Sequence, residues 1–222
     1  MKIIKSKGPE IFDIELEKDL LSKNRSLAKA NRKKLDRLNI TAIDVMGSIG
    51  SGKTSLIKAL IKKLNRGEEV GVIAGDLTTT IDADRIQEEG ARVIQVNTGK
   101  ECHLDANLIR QAIDQMKLEG VKFLLIENVG NLICPGEFPL GAHKRVVVTS
   151  VTEGPYMILK HPYIFKQADV IVLNKIDLAK AMKVNPSQLE RDAKQINPKA
   201  SFIKTNALSG KGIDQVIRAL GL

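Results

Sequence analysis

The 222-residue sequence predicts an α/β fold, a mostly parallel sheet with helices on both faces, on two observations. Short runs rich in Val and Ile recur along the chain with little polar alternation, as strands covered on both faces require. Helical apolar periodicity fills several of the intervals between them, which is the pattern of a wound α/β sheet.

The elements follow in order. Over residues 14–38, Ile14, Leu21, Ala28 and Leu35 recur at seven-residue spacing with Leu20, Leu27 and Leu38 beside them, predicting one amphipathic helix. The strand-like runs are ITAIDVM (40–46), VGVIA (70–74), RVIQV (92–96), KFLLIE (122–127), RVVVTSV (145–151), DVIVLN (169–174) and SFIKT (201–205). Helices are predicted over 54–65, about 104–118, 155–167, 186–195 and 212–220. No repeat, low-complexity stretch or linker interrupts this. The expected organisation is a basic amphipathic helix within residues 1–39 and one domain over 40–222.

A hydrophobic content of 43% excludes a disordered chain, and no apolar run approaches the roughly 20 residues that span a bilayer. The N-terminal MKIIKSKGPEIFDIEL is broken by charge and by Pro9 too early for a secretory signal. A soluble cytoplasmic protein without a membrane partner is expected. The net charge of +9 is uneven: residues 1–39 hold 11 Lys or Arg against 6 Asp or Glu, the remainder 24 against 20. Aromatics at 3% are too few for a base-stacking surface, so nucleic acid is not expected. A solvated basic helix accounts for the excess, with an anionic partner as the alternative. Cys102 and Cys134 are too few for a disulfide framework. They could form a lone disulfide, lie inert in the core, or bind metal.

Between the first strand and the first helix of the domain, Gly47-Ser-Ile-Gly-Ser-Gly52-Lys53-Thr54 matches G-x-x-x-x-G-K-[ST] in the context the motif needs. Gly47, Gly50 and Gly52 let backbone N–H groups of the loop, with Ser51 and Ser55, wrap a polyphosphate. The helix that follows points its N-terminus at the anion. Lys53 would reach the β- and γ-phosphates, and the Thr54 hydroxyl would ligate Mg²⁺.

Asn174-Lys175-Ile176-Asp177 closes the strand DVIVLN, 121 residues beyond Lys53. An Asp177 carboxylate can accept from both N1–H and the 2-amino group of guanine, a donor pair that adenine lacks. Asn174 would tie this loop to the phosphate loop, the Lys175 stem would cover the base, and the Ala207 N–H in TNALSGKG is a candidate donor to guanine O6. GTP and GDP are therefore the expected nucleotides. Mg²⁺ needs oxygen ligands and hydrolysis needs a positioned water. Glu127 ends KFLLIE and opens ENVG, where GTPases commonly have D-x-x-G, and Asp76 ends the second strand in the same way. Thr54, Asp76 and Glu127 are the expected Mg²⁺ contacts and Lys53, Asp76 and Glu127 the catalytic set, with Asp82 as the alternative to Asp76.

Cys102-His103 and Cys134 follow strand ends, and thiolate and imidazole suit Ni²⁺, Zn²⁺ or Cu²⁺. Adjacent residues of an extended segment point to opposite sides, so Cys102 and His103 would share an ion only through a local bend or across two subunits.

The segments VNTGKECHLDA (96–106), IENVGNLICPGEFPLG (126–141), SVTEG (150–154) and LNKIDL (173–178) closely resemble the HypB-type hydrogenase nickel-incorporation GTPases, in the same order, from about residue 40 onward. The resemblance implies a P-loop GTPase of the SIMIBI class, akin to UreG and the signal recognition particle GTPases. It also implies a GTP-hydrolysing metallochaperone that dimerises with nucleotide and helps deliver nickel to [NiFe]-hydrogenase precursors with other maturation proteins. The family's Cys-His pair falls on Cys102 and His103 and its later cysteine on Cys134. Some members carry an N-terminal cysteine motif or a histidine-rich stretch; neither is present here, so nickel storage is not expected. Three ligands fall short of the four of a closed tetrahedral Zn²⁺ site, which predicts a metal site at or near a two-fold dimer interface favoured by triphosphate. The rival readings are a GTPase maturing another metalloenzyme such as urease, and a small-molecule P-loop kinase with structural thiols.

Overall fold

The computed structural model describes residues 11–64 and 66–222, the side chains of 11–17 and of Glu68 excepted. Its strands are β1 (Thr41–Gly47), β2 (Val70–Asp76), β3 (Arg92–Asn97), β4 (Phe123–Glu127), β5 (Lys144–Ser150), β6 (Val170–Asn174) and β7 (Ser201–Lys204). They form one parallel sheet in the order β3-β2-β4-β1-β5-β6-β7. The helices are α1 (Ile11–Arg37), α2 (Lys53–Leu64), α3 (Ile81–Gln87), α4 (Ala106–Gln115), α5 (Cys134–Glu137), α6 (Met157–Lys160), α7 (Pro162–Lys166), α8 (Pro186–Ile196) and α9 (Ile213–Leu220).

Successive strand residues face opposite layers. Ile43 and Val45 of β1 join Leu56, Ile57, Leu60 and Ile61 of α2 and Val216 of α9 in one core. Ala42 packs with Leu35 of α1 and Ile109 of α4 on the other face, where Met46 meets Ile164 and Phe165 of α7 and Leu189 of α8. Helix starts follow capping chemistry. The Asp105 side chain accepts from Leu108 N ahead of α4, and Asn185 accepts from Ser187 N ahead of Pro186 in α8.

The seven predicted strands are present with ends moved by one or two residues. The helix predicted over 155–167 is instead α6 and α7, because Pro162 supplies no N–H to continue α6 and opens a new helix. Helix α3 was not predicted; in its seven residues, about two turns, only Ala83 and Ile86 are buried, too little for a periodic signal. The predicted end of α2 at 65 lies outside the described residues.

On α1, Ala28 and Leu35 are buried as the heptad spacing requires, whereas Leu20 and Leu38 are exposed, since they lie off the stripe. The side chain of Ile14 lies outside the described residues. Asn24 and Asn31, seven apart on the same stripe, are buried as well. Asn24 Oδ1 accepts from Ala106 N at 2.7 Å and its Nδ2 donates to Pro139 O at 2.9 Å. Asn31 Nδ2 donates to Ala106 O at 2.8 Å and Leu140 O at 3.1 Å. Gly141 lets the 139–142 segment lie against α1: its φ is +97°, and a Cβ there would meet Ala28 O at 2.5 Å. Two buried amides thus hold α1 to the start of α4 and to the chain leading into β5.

Candidate functional site

The carboxyl ends of β1, β2, β4 and β6 converge on one cleft, the usual place for ligands in such sheets. Gly47 to Gly52 turn from β1 into α2, and Lys53 Nζ donates to the carbonyls of Gly47 at 3.2 Å and Ser48 at 3.1 Å. The loop is closed around its own lysine. Burial lowers the pKa of Lys53, while Glu127 and Asp82 favour its charged form.

Asn174 Nδ2 donates to Ser51 O at 3.1 Å and Lys175 Nζ to Gly50 O at 2.7 Å, tying the β6 loop to the phosphate loop as expected for Asn174. Gly52 permits this approach: its φ is +101°, and a Cβ would lie 2.2 Å from Asn174 Nδ2. Asn174 Oδ1 accepts from Thr205 Oγ1 at 3.2 Å and from Ala207 N at 3.1 Å. The Ala207 N–H is therefore already engaged, and guanine O6 would have to share it. Asp177 is exposed and lines a recess of about 110 Å³ with Asn174, Ala207 and Leu208. Gly52, Ser55 and Lys175 line both that recess and a larger cleft of about 300 Å³ containing Lys53, Thr54, Asp76, Asp82 and Glu127. The two spaces are neighbours across these shared residues.

At the floor, Thr54 Oγ1 donates to Glu127 Oε1 at 2.7 Å, and Glu127 Oε2 is buried without a partner. A hydroxyl beside a carboxylate with an unpartnered oxygen is a hard donor set that fits Mg²⁺. Asp76 Oδ1 accepts from Thr78 N at 3.0 Å, Thr79 N at 2.8 Å and Thr79 Oγ1 at 3.0 Å. Partial burial would raise the Asp76 carboxyl, but these bonds outweigh it and hold the group below its ordinary pKa. Asp76 thus arrives ionised and braces its own loop. Asp82 faces the same cleft 3.4 Å from Arg85 Nη1. Arg85, a cation in the phosphate cleft, went unread in the sequence because it belongs to the unpredicted α3.

Burial pushes the Glu127 carboxyl up to about 7, against the Thr54 bond and the Lys53 charge. Burial likewise pushes Asp44, in the middle of β1, to about 6, opposed by Arg145 and by a bond from Asn128. Both folded values exceed the ordinary 4.5 and 3.8, so the folded state keeps protons that the unfolded chain releases. Stability of the ligand-free protein is expected to fall as pH rises from about 4 to 7, by an order of 3 kcal/mol per group. Urea titrations across that range check this, and Asp44→Asn should flatten the profile.

Cys102 Sγ lies 2.9 Å from Cys134 Sγ and 3.8 Å from His103 Nδ1, and both cysteines are free. The three ligand atoms lie within 4.8 Å of one another. The expected obstacle, that neighbours in an extended segment diverge, is removed by a bend at Cys102 and His103. One chain therefore gathers all three, and neither cysteine is fully buried. The His103 ring packs on Phe138 with centroids 3.9 Å apart. Burial lowers the His103 pKa, which keeps a lone pair available for a metal. Burial and the neighbouring Cys102 raise the Cys134 thiol.

Residues between the two sites join them. Asn128 Oδ1 accepts from Leu104 N at 3.1 Å, and its Nδ2 donates to buried Asp44 Oδ1 at 3.1 Å. Asn131 Nδ2 donates to Cys102 O at 3.3 Å, while its backbone bridges Gly47 of the phosphate loop. None of Asp44, Asn128 and Asn131 was singled out from sequence. Asp44 did leave a signal, a lone carboxylate inside an apolar strand.

A loop closed on Lys53 at the end of β1, with Thr54 and Glu127 beneath it, defines a P-loop nucleotide-binding protein of the SIMIBI class. FtsY from Mycoplasma mycoides shares the fold at 18% identity and a TM-score of 0.57, over 82% of this chain and 67% of that one. The family model of the CobW/HypB/UreG nucleotide-binding domain matches residues 41–204. A probable hydrogenase maturation factor HypB of Methanocaldococcus jannaschii is 48% identical over 92% of each chain. The crystal structure of hydrogenase maturation factor HypB from Archaeoglobus fulgidus superposes with a TM-score of 0.84 at 42% identity, covering 90% of this chain and 98% of that one. HypB from Helicobacter pylori in complex with nickel matches with a TM-score of 0.84 at 34% identity, covering 89% and 93%. The chain belongs to the HypB family of hydrogenase maturation factors. Among the described residues, no helix is long and apolar enough to cross a membrane.

Proposed function

We propose that this protein is a GTP-hydrolysing metallochaperone that assists nickel insertion into [NiFe]-hydrogenase precursors, and that its nucleotide state controls the Cys102–His103–Cys134 site. The observation that carries the reading is the 127–134 segment. It bonds to Thr54 of the phosphate loop at one end and brings a thiol within 2.9 Å of Cys102 at the other. Asp177 selects guanine, Asn174 and Lys175 hold the base loop on the phosphate loop, and Lys53 receives the phosphates in place of the Gly47 and Ser48 carbonyls. Thr54 and Glu127 hold Mg²⁺, which supplies neutralisation of phosphate charge when bound. Asp76, ionised and braced by Thr79, orients the attacking water.

Loss of the γ-phosphate alters the Glu127 end of the segment, and Asn128 and Asn131 carry the change to Leu104 and Cys102. Nickel is the cargo, and the nickel complex of the Helicobacter pylori relative supports that choice. Zn²⁺ competes for the same donors, taking tetrahedral ligation where Ni²⁺ with thiolate favours a planar set. The three donors leave room for ligands from a second subunit, so a GTP-promoted homodimer in the cytoplasm is the working form. It would act with other maturation proteins on the hydrogenase large-subunit precursor.

A second client is worth testing, because the Helicobacter pylori relative is named a hydrogenase/urease maturation factor. The core test is a nickel and zinc titration in GDP and in a non-hydrolysable GTP analogue, with size-exclusion chromatography of the same samples. Metal affinity is expected to differ between the two states by roughly 5- to 150-fold, and metal must change nucleotide affinity by the same factor. Cys134→Ala should remove the difference while leaving nucleotide affinity in metal-free buffer intact. Equal metal affinity in the two states of wild-type protein would defeat the coupling.

A further inference from the structure

The basic excess of α1 has no part in the nucleotide or metal chemistry. The fold places it on one wall of a groove of about 620 Å³ between α1 and the 139–145 segment. Arg25, Lys29 and Lys33 line that wall, Arg145 lies opposite, and Pro139 and Ala142 contribute an apolar floor. Arg32, also in the groove, is bonded to the carbonyls of Gly141 and Ala142 and holds the walls together. Among the described residues, no carboxylate lines the space. Among the described residues, Arg25, Lys29 and Lys33 make no ion pair, although Lys34 on the neighbouring face pairs with Asp114 and Lys23 with Asp19.

Like charges at i and i+4 repel along a helix, so this stripe is unfavourable to the isolated protein and calls for an external counter-charge. We propose that the groove docks an acidic amphipathic helical segment of a partner protein. Its apolar side would cover Pro139 and Ala142, and its carboxylates would meet Arg25, Lys29, Lys33 and Arg145. From Arg25 to Lys33 the wall runs roughly 12 Å, about two turns of a docked helix.

Charge and shape argue against the nearest rivals. Residues 1–10 of this chain carry Lys2, Lys5 and Lys7 against Glu10, the wrong sign to fill the groove. A second copy carries net +9 and offers an acidic stretch at residues 10–19; docking of that stretch would show as a change of oligomeric state when the groove is altered. Among the described residues the groove has no aromatic ring to stack a base, and its apolar floor is recessed where a bilayer surface would need it raised. The docking site also sits on the contacts by which Asn24 and Asn31 grip Ala106 and the 139–140 carbonyls, close in sequence to His103 and Cys134.

The test uses the full chain and a fluorescein-labelled, helix-forming peptide of Leu and Glu in amphipathic order, with a Leu and Lys peptide of the same pattern as control. Fluorescence anisotropy should report binding of the acidic peptide alone, weakening as salt rises. Lys29→Glu combined with Lys33→Glu should lower that affinity at least about tenfold, since each pair becomes a repulsion. The same variant should leave GTP-analogue affinity and thermal unfolding unchanged, because both side chains are exposed and far from that chemistry. Backbone amide shifts on peptide addition should centre on residues 25–33 and 139–145. The proposal is overturned if the acidic peptide does not bind, if the variant binds it equally, or if the Lys peptide binds as well. It is likewise overturned if phosphatidylserine vesicles bind in its place, or if the substitutions change the oligomeric state without peptide.

Discussion

Lys53→Ala is expected to remove measurable binding of GTP and GDP. Lys53 is 8% exposed, and its ammonium sits where phosphate oxygens would otherwise meet Glu127, Asp76 and Asp82. Deleting one partner of a buried, hydrogen-bonded charge pair costs about 2–5 kcal/mol, or roughly 30- to several-thousand-fold in affinity. The ligand-free fold should tolerate the change, because Lys53 donates only to two loop carbonyls that water can reach once the side chain is gone. Calorimetric titration with a GTP analogue, beside thermal unfolding without nucleotide, separates the two effects. A variant that binds as wild type would mean that the phosphates do not lie in this loop.

Asp177→Asn is expected to weaken guanine nucleotides by roughly 2–3 kcal/mol, about 30- to 150-fold, through loss of two hydrogen bonds to a charged group. It should also turn preference towards xanthine nucleotides, whose 2-oxo group accepts from the new amide. The structure makes this a clean substitution. Asp177 is exposed on a one-turn helix and its side chain makes no bond among the described residues, while Asn174 and Lys175 hold the loop. Competition between GTP, xanthosine triphosphate and ATP for wild type and variant reads the result. ATP competing equally with GTP in wild-type protein would remove the guanine assignment.

What could be read from sequence alone was whatever depends on local chemistry. Apolar Val and Ile runs announce buried parallel strands, because both faces must be covered wherever they pair. Gly47, Gly50, Gly52 and Lys53 announce a phosphate loop, because only glycine leaves room for backbone N–H groups to reach an anion. Asn174 and Asp177 carry their chemistry in four consecutive residues. Local signals fail where the turn is short or the stripe is interrupted. Hence α3 went unpredicted, and Pro162 divided a segment whose apolar pattern runs through it.

Only tertiary structure could decide which distant residues meet. Cys102 and Cys134 are separate points on the chain, and their approach depends on β4 lying between β2 and β1 and on the bend at His103. Asn24, Asn31, Asn128 and Asn131 look like ordinary polar residues in sequence, since an amide gives no sign of whether it faces water or a buried carbonyl. Folding buries or half-buries each of them, and a buried amide must find its partners. Those partners are the backbone groups of Ala106, Leu140, Leu104 and Cys102, which flank the metal donors. The basic stripe of α1 was legible as charge, but its groove required Arg145 and the 139–142 segment, brought over by long-range packing. A sequence states which groups a chain owns; the burial that sets their pKa values and compels their bonds arises only once the layers have closed.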